Sequence, residues 1–302
     1  MKPVRPLAAA LAEQVLVLDG GLSNQLQAQG CDLSDALWSA RLLADGPEQI
    51  EAAHAAYVRA GAQVLITSSY QATFEGFARR GTGRAEAARL LARSVELARA
   101  AGEATDRDVW VAASVGPYGA LLADGSEYRG RYGLSVDELA RFHRPRVEVL
   151  AEAGPDVLAL ETVPDADEAE GLLRAVEGCG VPVWLSYTID GDRTRAGQGL
   201  ADAFSLVAGV DQVVAVGVNC CDPRDAGPAV AIAAEVTGKP VVVYPNSGEE
   251  WDAGARDWRG GAAFDPDAPS RWRAAGARLI GGCCRVGPEL IAGLATTLEA
   301  TE

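Results

Sequence analysis

Six cysteines occur in the 302 residues: Cys31 and Cys179 stand alone, while Cys220 with Cys221 and Cys283 with Cys284 form adjacent pairs. A bond inside a pair is a poor reading, because chain neighbours stand about 3.8 Å apart and a disulfide normally spans more than that between Cα atoms. Two readings remain. Cysteine is commonly buried, so the pairs could fill a core. Alternatively, thiolates from two distant segments converge on a soft cation, for which zinc is the usual choice. No Cys-x-x-Cys occurs, which removes the usual signal of a closed structural zinc site. Three thiolates on one zinc would leave an open position, the mark of a reactive site.

The rest of the titratable inventory narrows that chemistry. Only two histidines exist, His54 in "EAAHAAYVRAG" and His143 in "LARFHRPRV", and both lie in helical patterns that suggest packing or helix-surface roles. A zinc hydrolase would want histidine ligands or a nearby base to activate water. Thiolate-rich zinc suits another task, holding an incoming thiol as thiolate, since coordination deprotonates it.

The elements that must position these residues follow a regular scheme. Apolar runs at 15–18, 63–67, 109–114, 156–161, 181–187, 213–219, 240–246 and 277–282 alternate with helix-length segments, the signature of parallel βαβ units. One helix opens with a capping box, Ser135 and Glu138. Eight strands without a composition shift predict a single (β/α)8 TIM barrel over residues 1–302; a doubly wound open sheet is the alternative. In a barrel the active face is built after the strand C-terminal ends. Those ends carry Asp19-Gly20-Gly21, Thr67-Ser68-Ser69-Tyr70, Ser114, Glu161-Thr162, Ser186, Asn219-Cys220-Cys221, Tyr244-Pro245-Asn246 and Gly282-Cys283-Cys284. Both cysteine pairs are among them, on strands six and eight. The glycines before Asn219 and Cys283 suit a backbone that bends tightly around a metal or ligand.

Composition bounds the partners. Acidic residues outnumber basic ones 42 to 27, for a net charge of −15, which disfavours nucleic acid and anionic membrane and favours a cationic small molecule. No run approaches the ~18 apolar residues of a membrane span. The start, with Lys2 and Arg5 before "PLAAALA", mimics a signal peptide, but Glu13 interrupts it and "VLVLDGG" reads as a first strand and turn. The expectation is a cytoplasmic protein.

The segments "GVNCC" at 217–221 and "GGCCR" at 281–285 resemble the two zinc motifs of the homocysteine S-methyltransferase family. The likeness extends through "LDGGLSNQLQAQGCDLSDALWSARLL", "ITSSYQATFEGF", "SVGPYGALLADGSEYRG", "ALETVP" and "VYPNSGE". The resemblance implies that Cys220, Cys283 and Cys284 hold Zn2+, with Cys221 surplus, and that Glu161 takes the amino group of L-homocysteine. Asp19 reads either as a turn-capping carboxylate or as a substrate contact. Gly20 and Gly21 could offer N–H groups to the substrate carboxylate, and Ser68, Ser69, Tyr70 and Gln71 are candidates for the donor pocket. One departure stands out: Gln25 and Gln27 occupy places where many family members carry glutamate, which bears on donor preference.

The reaction so implied is methyl transfer from a sulfonium donor to homocysteine, giving methionine, with S-methylmethionine favoured over S-adenosylmethionine because no glycine-rich nucleotide turn follows a strand. A selenol or other thiol acceptor is chemically equivalent. Two other classes compete: a non-catalytic zinc or thiol sensor, and a barrel hydrolase or lyase that uses Glu161 and Asp19 as acid and base.

Overall fold

The computed structural model describes residues 3–33, 39–252, 257–259 and 265–300. The apolar runs form parallel strands β1 (Leu16–Val17), β2 (Val64–Ile66), β3 (Trp110–Val115), β4 (Val157–Val163), β5 (Val183–Tyr187), β6 (Val213–Asn219), β7 (Val241–Tyr244) and β8 (Ala277–Ile280). They pair in chain order, β8 pairs with β1, and a parallel bridge between Leu18 and Val64 joins β1 to β2. The sheet therefore closes on itself. Each strand is followed by a helix of the outer ring: α1 (Pro47–Arg59), α2 (Arg84–Glu103), α3 (Val136–Glu152), α4 (Ala166–Val176), α5 (Leu200–Ser205), α6 (Pro223–Thr237), α7 (Ala268–Ala274) and α8 (Pro288–Glu299). The expected barrel is what forms, and the open sheet is excluded by the closure.

Side-chain alternation explains why these runs are apolar throughout. On β3 and β4, Trp110, Ala112, Val157 and Ala159 face the barrel interior, while Val111, Ala113, Leu158 and Leu160 pack outward against the helices. A strand buried on both faces has no polar alternation to show. Below the strands, the helix Leu7–Glu13 adds Leu7 and Leu11 to the interior cluster, and Arg5 accepts a hydrogen bond at its carbonyl oxygen from the Trp110 indole, 3.0 Å away. The segment that mimics a signal peptide is thus the floor of the barrel.

Several predicted strands overran. The run at 240–246 stops at Tyr244 because Pro245 has no N–H for the ladder, and the run at 181–187 begins only after Pro182. The capping box at Ser135 forms as predicted. Both histidines are packing residues, fully buried in α1 and α3, with His143 bonded to Glu168 at 3.0 Å. The glycines serve close chain approach: a Cβ on Gly217 would collide with the Val242 carbonyl oxygen, and one on Gly281 with Leu18 and the Asp19 carbonyl oxygen.

Alternation continues to the strand tops. Counting in twos from Ala112, Ala159, Ala215 and Val242 brings Ser114, Glu161, Asn219 and Tyr244 inward at the C-terminal ends, and Ser186 follows Trp184 in the same way.

Candidate metal centre and active site

Cys220 follows the last residue of β6 and adopts φ +48°, in the left-handed region. Alternation alone would send its side chain outward beside the inward Asn219. The left-handed residue breaks that alternation and aims the Cys220 sulfur into the mouth, while Cys221 is fully buried in the outer core. Burial pushes the Cys221 thiol up to about 12.

Cys283 and Cys284 lie in the loop after β8. The Cys283 N–H donates to Pro245 O at 2.8 Å and the Cys284 N–H to Asn246 Oδ1 at 3.1 Å, so the β7 loop anchors the β8 loop. The Arg285 guanidinium pairs with Glu249 at 3.1 Å, and the Arg285 backbone N–H donates to Asn24 Oδ1 at 2.6 Å.

The sulfurs of Cys220, Cys283 and Cys284 lie within 4.8 Å of one another. A tetrahedral zinc with bonds of about 2.3 Å spaces its sulfurs by about 3.8 Å, so the set fits a zinc-sized cation with one position left over. Cys220 and Cys283 are joined as a disulfide in the structure, with Cα atoms 5.5 Å apart. A metal needs both as thiolates. The chain neighbours Cys283 and Cys284 stay unbonded to each other, whereas sulfurs 63 positions apart meet no such limit. Burial also pushes the Cys284 thiol up to about 11, so a bound cation is what would hold it ionised at neutral pH. Cys31 and Cys179 lie apart from the cluster, beside Gln49 and Val181.

Glu161 occupies the barrel interior beneath this cluster. Its Oε1 accepts from Ser114 Oγ and its Oε2 from the Tyr244 hydroxyl at 2.9 Å. Burial raises its pKa to about 7, and the two hydrogen bonds hold it from going higher. Asp19 is also buried; its Oδ2 accepts the Ile66 N–H at 2.9 Å. Burial lifts its pKa well above the ordinary carboxylate value, and the nearby Glu161 charge adds to the lift. Asn219 braces the group: Oδ1 accepts from Thr162 N–H at 2.7 Å and Ser186 Oγ at 2.8 Å, and Nδ2 donates to Thr162 Oγ1 at 2.7 Å.

The weaker candidates divide. Gly21 N–H donates to Val286 O at 2.9 Å, whereas the Gly20 N–H has no acceptor among the described residues. Ser69 Oγ donates to Ser114 O at 2.7 Å and is thereby engaged in holding β2 to β3. Ser68 Oγ is buried without a hydrogen-bond partner among the described residues, as expected of a hydroxyl that waits for a ligand. Tyr70 lies over Gly116, where a Cβ would strike its ring, and Gln71 is buried. Gln25 bonds Gln29 at 3.1 Å, and Gln27 is exposed on the same short helix, Leu22–Ala28. Sequence reasoning placed Ser114, Tyr244, Asn219 and Asn246 at strand ends without giving them roles; the alternation count above could have flagged the first three.

The raised carboxylate gives a stability prediction for the reduced, metal-free protein. Glu161 keeps a proton up to about pH 7, while an unfolded chain releases it near 4.3. The folded state then holds the extra proton between these values, so this residue's contribution to stability falls as pH rises through that window. Glu161→Gln is expected to flatten the fall and to raise the Tm at pH 8 by a few degrees, read by thermal unfolding from pH 5 to 8. An unchanged pH profile would refute it.

The family model described as homocysteine S-methyltransferase matches residues 16–298. The chain belongs to the homocysteine S-methyltransferase family. It is 47% identical to the homocysteine S-methyltransferase of Escherichia coli strain K12, over 97% of this chain and 99% of that protein. It is 41% identical to homocysteine S-methyltransferase 1 of Arabidopsis thaliana, over 94% and 93%. Among solved structures, the metallated form of the homocysteine methyltransferase MmuM from Escherichia coli superimposes with a TM-score of 0.87 at 46% identity, covering 97% of this chain and 99% of that one. An oxidized form of the same protein gives 0.87 at 45%, covering 99% and 100%. This member of the homocysteine S-methyltransferase family is a methyltransferase, and its cysteine cluster can hold a metal. No helix among the described residues is long and apolar enough to cross a membrane.

Proposed function

We propose that this enzyme moves a methyl group from a sulfonium donor to the sulfur of L-homocysteine, giving methionine, with Zn2+ held by Cys220, Cys283 and Cys284. S-methylmethionine is the favoured donor and S-adenosylmethionine the second. The observation that carries the reading is the convergence of three sulfurs above a buried carboxylate. Bound Zn2+ would supply an acceptor sulfur already in its thiolate form at neutral pH.

The chain's own residues do the rest. Glu161 and Asp19 are two buried acids whose charges oppose each other. An ammonium group placed between them relieves that repulsion and the cost of desolvation together, which is a reason for the amino group of an amino acid to settle there. The Gly20 N–H stands ready for the neighbouring carboxylate, and Ser114 and Tyr244 fix the Glu161 carboxylate in position. A ligand pinned at both ends has its sulfur directed to the cysteine cluster, and this positioning supplies much of the rate of a two-substrate reaction.

The donor's sulfur–methyl bond breaks with its electron pair left on the donor sulfur, and the acceptor thiolate forms the new sulfur–methyl bond. No proton moves in that step, so the neutral, buried state of His54 and His143 removes nothing the reaction needs. The thiolates also need a reducing compartment, which supports a cytoplasmic location.

The test is to reduce the protein, load it with zinc, supply L-homocysteine and S-methylmethionine, and quantify methionine against a chelated control. Two methionines per turnover, lost on chelation, are expected. Zinc binding without turnover on either sulfonium donor would turn the reading to the sensor, which the Cys220–Cys283 disulfide favours. Without the reductant, zinc uptake is expected to fall from about one per chain to a small fraction, because two of the three ligands are consumed by the disulfide.

A further inference from the structure

Two charged side chains at the barrel mouth have no part in the chemistry above. Glu127 lies in the 3-10 turn Ser126–Tyr128, within the loop between β3 and α3. Its Oε2 is buried without a hydrogen-bond partner among the described residues, and its charge is felt by Cys284, Tyr70 and Tyr132. Arg195 follows the small hairpin of Ile189–Asp190 and Arg193–Thr194, within the loop between β5 and α5. Its Nε is buried and unpartnered, and the side chain enters no ion pair or hydrogen bond among the described residues. Tyr128 connects the two: it adjoins Glu127 in the chain, feels the Arg195 charge, and lies beside Cys284.

An acid and a base that flank one tyrosine, yet do not pair, carry a desolvation cost that backbone hydrogen bonds to Glu127 return only in part. A ligand bearing both opposite charges supplies the return. The acceptor's ammonium and carboxylate already have Glu161, Asp19 and Gly20. The second substrate is the remaining source of such charges.

We propose that Arg195 and Glu127 clamp the amino-acid end of the donor, with Arg195 on its α-carboxylate and Glu127 on its α-ammonium, while Tyr128 sets the sulfonium against the cysteine cluster. The inference rests on the methyl transfer proposed above and adds a demand of its own. The donor must be a zwitterionic sulfonium amino acid, and a sulfonium without the α-amino group is rejected.

The experiment uses the reduced, zinc-loaded full chain. S-methylmethionine is titrated calorimetrically into the wild type, Glu127→Gln and Arg195→Met, and steady-state KM is measured for both substrates. Each substitution is expected to weaken donor binding and raise donor KM about ten-fold or more, while KM for L-homocysteine stays within about two-fold. The des-amino analogue of S-methylmethionine is expected to bind wild type at least about ten-fold more weakly. Its binding should be indifferent to Glu127→Gln and still sensitive to Arg195→Met.

The analogue comparison on wild type needs no variant, so a misfolded variant leaves the clamp testable; far-ultraviolet circular dichroism screens for that. Unaltered donor binding in both folded variants would overturn the clamp, as would equal losses for both substrates, failure of wild type to bind S-methylmethionine, or equal binding of the analogue. Donor binding that needs both residues, in an enzyme that forms no methionine, would instead sink the methyl-transfer reading and leave the clamp standing.

Discussion

Cys283→Ala is expected to strip the enzyme of both metal and activity. With one of three sulfurs gone, zinc measured by elemental analysis after dialysis should drop from about one per chain to less than a tenth. Methionine formation should fall by more than about 100-fold, since losing a partner of a metal ligand already costs 10- to 100-fold and losing the ligand itself costs more. Cys221→Ala is the control that gives the result its meaning. That thiol lies in the outer core, so its loss should lower the Tm by a few degrees through missing packing and leave zinc content and turnover nearly intact. Activity that survives Cys283→Ala would move the reaction to Glu161 and Asp19 and revive the hydrolase or lyase reading. Equal damage from both substitutions would mean that the cluster is structural.

Glu161→Gln should be the most damaging change outside the cluster. It keeps the shape and, through its amide oxygen, one of the two hydrogen bonds accepted from Ser114 and Tyr244, but removes the charge that an ammonium group seeks. A hydrogen bond to a charged group contributes about 1.5–3 kcal/mol, so KM for L-homocysteine should rise about 10- to 100-fold. Donor KM should be nearly unaffected, because the donor is assigned to other side chains. Tyr244→Phe, which deletes one of the two donors to Glu161, should give a smaller rise in the same parameter. Kinetics at varied homocysteine and saturating donor decide the matter. An unchanged homocysteine KM in Glu161→Gln would remove this residue from substrate binding.

Much of this architecture was legible before any coordinates. Eight apolar runs separated by helical patterns leave few alternatives to a barrel, and a barrel makes the strand ends into one list that holds the cluster cysteines, Glu161, Asp19, Ser114, Asn219 and Tyr244, but not Glu127 or Arg195. Period-two counting even places Glu161 inside, since it follows Ala159 on an inward-facing row. What was illegible depends on closure and on single backbone angles. Tyr244 reaches Glu161 across 83 positions of chain, a pairing set by ring geometry rather than by any local pattern. Counting in twos fails at Cys220, because one left-handed residue redirects the side chain. The occupation of Gly21 N–H by Val286 and of Ser69 by Ser114 is equally invisible in a linear text, since each acceptor comes from a different strand or loop.

The backbone angle at Cys220 also sets two kinds of selection against each other. A β-carbon at φ +48° is tolerated at a cost of order 1 kcal/mol, which glycine would not incur. A screen for heat resistance alone would therefore drift toward glycine at this position, and a screen for methionine production would discard the same clones. Variant libraries scored by folding and by turnover should diverge at Cys220, where glycine raises the first score and abolishes the second.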